Sequence, residues 1–376
     1  MALILARSPY YISRGVYDSG AALSVDIGYN NNTGTYISLK IYDLTFRNET
    51  HLDISPFIRD YLSDNKVLEV LVTLSGDKDG SPEPSTTDNF VATDGYSYYE
   101  EGFNKDYTDL LKDTNGYYAG SNNVVYRNRD EPVTIPFLFS DTSTTSIPTS
   151  TINYYKGNAL VSTLSLDFTD TASRVQYLAQ DTIDSFQERV ENDLDITIEL
   201  ANLSRIYDYL YITNTPDRVE VIPKGDASKS FELTIVPVQE CKYTPNKLVF
   251  NNKLGVEEDL WFFKKSVNNI TTNRESYRAN TLPNYLTGDL SQHSQASYNV
   301  NGKKTMTINT GFIPESFNEN LKQLMLSEKV WIYLDGNKLP ITIKDSDMQF
   351  KTVLNEKLIN YEMEIEFAYD IINNIG

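Results

Sequence analysis

Tyr361-Glu362-Met363-Glu364-Ile365-Glu366-Phe367-Ala368-Tyr369-Asp370 is the stretch whose reading decides the fold class. Tyr361, Met363, Ile365, Phe367 and Tyr369 share one parity, and Glu362, Glu364 and Glu366 share the other. Side chains of a strand alternate between faces, so this pattern predicts a strand with an apolar face and a wet one. The residues ahead of it, from Tyr298 onward, read as the same module. Thr305-Met306-Thr307-Ile308 is a strand signal, and Val330-Trp331-Ile332-Tyr333-Leu334 and Leu339 to Ile343 flank an Asp335-Gly336 turn. Between them Pro314 and Glu315 open a helix expected over about 315–327. Phe317, Leu321 and Leu324 form its apolar stripe.

Outward from this module, the composition favours strands throughout. Tyr occurs 27 times, and Thr, Ser and Asn are plentiful. Tyr and Thr suit pleated surfaces, whereas Asn and Ser suit turns. The expected fold is mainly β: tandem β-sandwich domains with a C-terminal β-rich module containing one short helix. A chain of 376 residues allows two or three domains. The boundaries read as 1–145, an N-terminal β-sandwich with long loops; 146–240, a second β-sandwich; and 241–376, the C-terminal module.

Several segments define these divisions. Tyr10 to Ile12, Leu23 to Ile27 and Ile37 to Ile41 are strand signals, and Ser55-Pro56 starts a short helix with Ser55 as its cap. Val67 to Leu74 is an apolar strand, whereas Ser75 to Asp94 reads as a long polar loop. Ser140 to Thr151, nearly all Ser and Thr, reads as a linker. Leu160 to Phe168, Leu194 to Leu200, Tyr207 to Ile212, Val219 to Ile222 and Phe231 to Val238 are further strands. Asp170 to Glu191 is open between a helix and an excursion. Leu248 to Phe250 and Leu260 to Phe263 form a hairpin, and residues 272–297 read as a long exposed excursion.

The charge balance, 33 basic against 52 acidic residues, argues against gripping nucleic acid or anionic lipid. A lone cysteine, Cys241, excludes an intramolecular disulfide and a cysteine-built zinc site. No apolar run reaches the length of a membrane span, and the apolar start Met1 to Ala6 is too short for a signal peptide. The expectation is a soluble protein with neither membrane insertion nor sequence-specific nucleic-acid binding.

The search for chemistry finds no constellation. Gly302-Lys303-Lys304-Thr305 lacks the upstream glycine of a phosphate loop, and no nucleophile elbow is present. His51, near Asp53 and Asp60, and His293 have no paired nucleophile. Asp77, Asp79, Glu83 and Asp88 offer cation-type oxygens, but Pro82 stands where a calcium loop needs glycine. Glu362, Glu364 and Glu366 read as the wet side of a strand. Tyr96, Tyr98, Tyr99, Tyr117 and Tyr118 offer either a contact surface or ordinary sheet packing. Lys264-Lys265, Arg274 and Arg278 are local basic spots suited to the acidic surface of a neighbouring copy. No catalytic, cofactor-binding or metal residue is assigned, and the expectation is not an enzyme.

Trp261-Phe262-Phe263-Lys264-Lys265, Asn309 to Glu315, Leu326 to Ile332, and Leu358-Ile359-Asn360-Tyr361 with Phe367 to Asp370 together resemble the C-terminal half of virion structural proteins of tailed bacteriophages, the crAss-like phages and their relatives. Arg7 to Ile12 and Ile54 to Ile58 are similar to the same group. The resemblance covers mainly residues 240–376. It implies a tail, neck or baseplate component, a ring or adaptor that contacts copies of itself and other virion proteins. It also implies assembly in the host cytoplasm and residence in the virion, and it brings no cofactor. The alternative is a glycan-binding β-sandwich module of a receptor-recognition or fibre protein.

Overall fold

The computed structural model describes residues 2–15, 23–29, 37–41, 49–62, 67–78, 81–104, 120–128, 133–138, 150–166, 175–182, 208–212, 218–222, 230–278, 293, 295–345, 347–350 and 359–372. The fold is mainly β, and its C-terminal β-rich part carries one short helix. Two compact units emerge. The first comprises Met1–Gln239, Phe250–Leu260 and Glu319–Glu328; the second comprises Glu240–Val249, Trp261–Asn318 and Lys329–Gly376.

In the first unit, Ala2–Leu5, Ser81–Thr93, Val67–Lys78, Leu23–Tyr29 and Ile37–Ile41 form a five-stranded sheet in that order. The N-terminal strand joins it in parallel, and the remaining pairings are antiparallel. Tyr11–Gly15 and Glu49–Asp53 make a separate two-stranded sheet. The helix Ser55–Leu62 follows. Ile4, Ile12, Ile54, Ile58, Leu62, Val70, Val72 and Phe90 unite both sheets and the helix in one core.

Ser75 to Asp94, expected as a polar loop, is strand over Ser75–Lys78 and Ser81–Thr93. These residues complete a long hairpin in which Val67–Lys78 pairs with Ser81–Thr93, with a bulge between Leu74 and Gly76. The physical reason is position. The N-terminal strand meets only Phe90 to Thr93, so among the described residues Pro82 and Pro84 lie where Ser81–Thr93 has a single neighbour. A strand edge tolerates proline because no ladder bond is asked of its nitrogen on the open side. Helix capping also differs from expectation. Ser55 is the first helical residue, and the Asp53 carboxylate accepts its N–H at 3.0 Å and its hydroxyl at 2.7 Å.

Residues 124–238 of the same unit build two more sheets. Ala159–Leu166, Ser150–Lys156, Arg218–Ile222, Phe231–Val238 and Val124–Asn128 form one; Asp208–Ile212, Val175–Thr182 and Val133–Leu138 form the other. Val175–Thr182 therefore resolves the ambiguous stretch from Asp170 as a strand over those residues. Ser150 and Thr151, read as linker, open a strand. The expected strand Leu194 to Leu200 and most of the Ser/Thr-rich stretch lie outside the described residues.

A seven-stranded sheet runs in the order Glu257–Phe262, Asn246–Asn251, Val330–Leu334, Asn337–Ile343, Glu362–Phe367, Gln295–Asn309 and Val267–Arg278. Its centre obeys the alternation read from the sequence: Tyr361, Met363, Ile365 and Phe367 are buried. Tyr369 is not, at 43% exposed, because Glu362–Phe367 ends before it. Asp335 and Gly336, at φ 50° and 77°, make the tight turn between Val330–Leu334 and Asn337–Ile343. The 3-10 turn Glu315–Phe317 leads into the helix Asn318–Leu326, and Phe317, Leu321 and Leu324 are all buried.

Candidate interaction surface

The residues read as an excursion, 272–297, prove to be strand over 272–278 and 295–297. Val267–Arg278 and Gln295–Asn309 pair antiparallel as a long ribbon. Asn273 lies across from Asn301, and Glu275 lies across from Tyr298. Asn299 is the extra residue of that bulge, and its left-handed φ of 47° is one that Asn tolerates better than most residues. Val267–Arg278 is the last strand of the sheet, and all twelve of its residues are exposed.

Parity explains why this ribbon differs from the rest of the sheet. On Gln295–Asn309, Met306 and Ile308 face the core with Met363, Ile365 and Phe367 of the adjoining strand. Lys304 shares the parity of Met306, sits 4.8 Å from the Phe367 ring centroid and pairs across to Ile270. Ile270 is 65% exposed. Even spacing then puts Arg274 and Arg278 on the same face as Ile270. The core face of the sheet thus continues onto the ribbon, where Ile371 lies beside Gly302 and Ile270 stays exposed, and it changes from aliphatic to cationic.

The other face carries Tyr277 and Tyr298, ring centroids 5.8 Å apart and edge to face. It also holds Lys303, paired to Glu366 at 2.9 Å, which raises the lysine pKa above its ordinary value. Residues 370–372 run alongside Asn301 and Gly302, with the Ile371 side chain beside Gly302 on the Ile270 face. Ile371 N–H donates to Gly302 O at 2.8 Å, and the Asn301 side chain bridges Asp370 and Ile372.

A second polar assembly, in the first unit, is buried rather than exposed. Glu258 has no exposed surface to speak of, yet its carboxylate accepts four hydrogen bonds. Ser121 gives its N–H at 3.0 Å and its hydroxyl at 2.5 Å; Asn252 and Asn320 give amide N–H at 3.0 and 2.9 Å. Burial pushes the Glu258 carboxyl above its ordinary range, against the pull of those donors. Beside it, Tyr98 donates to Glu319 at 2.7 Å and lies under Lys322 at 3.5 Å and Lys253 at 4.6 Å. Lys253 pairs with Glu101. Burial and the Glu319 carboxylate both raise the Tyr98 pKa. This network ties separate stretches of chain together, and its Tyr98, Glu319 and Lys322 are half-buried while Glu258 is buried.

The residues singled out from sequence scatter. His51 pairs its backbone with Ser13, and His293 is exposed. Asp77 and Glu83 belong to the hairpin of the first unit, Asp88 is exposed, and Asp79 lies outside the described residues. Among the described residues no group of three or more His, Cys, Asp or Glu is placed to hold a metal ion. Tyr96 is buried, with its phenol pushed up to about 12 by burial, whereas Tyr99 is 92% exposed. Tyr117 and Tyr118 lie outside the described residues. Lys264 is neutralised by Glu240 at 2.7 Å, which lowers the Glu240 pKa. Only Arg274 and Arg278 of the basic spots fall on the ribbon. Of the wet carboxylates, Glu362 takes Asn309 at 3.1 Å, Glu364 takes Lys344 at 2.9 Å, and Glu366 takes Lys303. Glu258 was missed because its partners sit 137 and 62 residues away, beyond any spacing rule.

A comparison with protein-family models gives no match, and neither does a comparison with curated proteins.

Proposed function

We propose that this chain is a structural component of a tailed-bacteriophage virion, a tail, neck or baseplate ring or adaptor protein that assembles with copies of itself and with other virion proteins. One observation supports this reading above the rest: a twelve-residue strand at the edge of the sheet, exposed along its whole length. Such an edge presents a row of backbone donors and acceptors, and proteins that act alone blunt or cover it. A ring needs two different patches per copy, and an edge ribbon offers one of them. The resemblance of residues 240–376 to virion proteins supplies the context. Cross-linking mass spectrometry on purified particles tests it. The expected result is many copies per particle, cross-linked to one another; a chain absent from particles overturns the proposal.

A glycan-binding reading has one observation in its favour, the exposed Tyr277 and Tyr298 pair. A glycan array decides it: hits that vanish in Tyr277→Ala would replace the assembly reading.

A further inference from the structure

We infer that the cationic face of the ribbon is the arm by which one copy holds the acidic surface of the next copy, so that assembly is driven by charge as well as by backbone pairing. This rests on the assembly reading above. Three independent observations favour a second copy as the occupant.

The first is the continuation of the core face, which stays exposed at Ile270. Met306, Ile308, Ile365 and Phe367 are buried on the face that Ile270 continues at 65% exposure. An aliphatic side chain on a core parity, left in water, is stabilised by whatever apolar surface covers it. The second is charge. The two strands carry Arg274, Arg278, Lys303 and Lys304 against Glu275 alone. Subtracting these from the 33 basic and 52 acidic residues of the chain leaves 29 basic against 51 acidic elsewhere. The basic ribbon therefore finds its complement on the rest of an identical chain. Lys303 already has Glu366 as partner. On the Ile270 face stand Lys304, Arg274 and Arg278 and no carboxylate, because Glu275 has the opposite parity. The third is the edge itself: among the described residues, Val267–Arg278 has a strand on one side only.

The contact this describes is heterologous, basic arm to acidic body, which is the kind that closes into rings or runs on into filaments. Opposed charge at such a contact sets encounter rate and register and is screened by salt.

The experiment is sedimentation velocity of the full chain across a concentration series at low and high salt, with two double variants. R274E/R278E reverses the arm; R274K/R278K keeps its charge. Both alter exposed side chains, and circular dichroism melting checks that the fold is unchanged. The expected result is assembly of the wild type that weakens with salt. R274K/R278K assembles, and R274E/R278E needs at least about tenfold more protein to assemble. Equal assembly of wild type and R274E/R278E overturns this inference and leaves the assembly reading standing, as does salt-insensitive assembly. A wild type that stays monomeric at every concentration overturns both.

Discussion

Gly95 and Gly255 have no room for a side chain. A Cβ on Gly95 would sit 2.6 Å from Lys253 O and 2.7 Å from Leu5 Cδ2; one on Gly255 would sit 2.6 Å from Gly95 N, at a φ of +76°. The two backbones cross at contact distance, and only glycine allows that. Gly336 shares the left-handed φ, +77°, but has nothing within 4 Å. Gly336→Ala should therefore cost only the backbone strain, about 1 kcal/mol, whereas Gly95→Ala should cost about 2–4 kcal/mol because main chain must move. Urea unfolding of both variants separates strain from collision.

Glu258 belongs to the same scale. Replacing it by glutamine turns an amide N–H toward Asn320 Nδ2, itself a donor, so Glu258→Gln should lose about 1–3 kcal/mol. Its pH dependence has a definite sign. Burial raises the native pKa above 4.5, so the folded chain keeps a proton that the unfolded chain has released. The stability contributed is complete below the unfolded value and declines as pH rises toward the native one. The advantage of wild type over Glu258→Gln should shrink from acid to neutral pH. An advantage that grows over that range would show the carboxylate, not the acid, to be the favoured native form.

At the scale of elements, Asp53 joins three. Its Oδ1 accepts the N–H of Tyr10 at 3.0 Å as well as the N–H and hydroxyl of Ser55, so it links the two-stranded sheet to the first turn of the helix Ser55–Leu62. Asp53→Ala should cost about 1–2 kcal/mol, the usual loss when a helix start loses its acceptor; thermal unfolding reads it. The hairpin of Val67–Lys78 and Ser81–Thr93 shows how far local reading reaches. Val67 to Leu74 is legible because a buried strand is apolar. Ser81 to Asn89 is not, because a strand segment that among the described residues has one neighbour tolerates polar residues and proline without breaking any ladder bond. The ribbon was legible as exposed but not as strand, for a similar reason: no buried face imposed an alternation on Val267–Arg278.

At the scale of the molecule, the first unit takes in two pieces of chain from beyond residue 239: Phe250–Leu260 and Glu319–Glu328. They bring Gly255, Lys253, Glu258, Glu319 and Asn320 to the loops around Gly95, Tyr98 and Ser121. A fragment ending at Gln239 removes those partners and leaves their loops unsatisfied. It should be cut by protease within residues 95–104 far faster than the full chain under identical conditions. Equal resistance would show that this unit needs none of the later segments.

Alternation, turn chemistry and the helix stripe were settled by the sequence alone, because each depends on residues within a few positions of one another. Phe317, Leu321 and Leu324 are buried, Asp335-Gly336 turns, and Tyr361 to Phe367 alternates, as local physics requires. Only the tertiary structure decided where the core face stops being covered, which strand ends the sheet, and which donors meet Glu258. Those outcomes depend on segments far apart in the chain that approach one another only when folding closes the loops between them, and no local pattern records that closure.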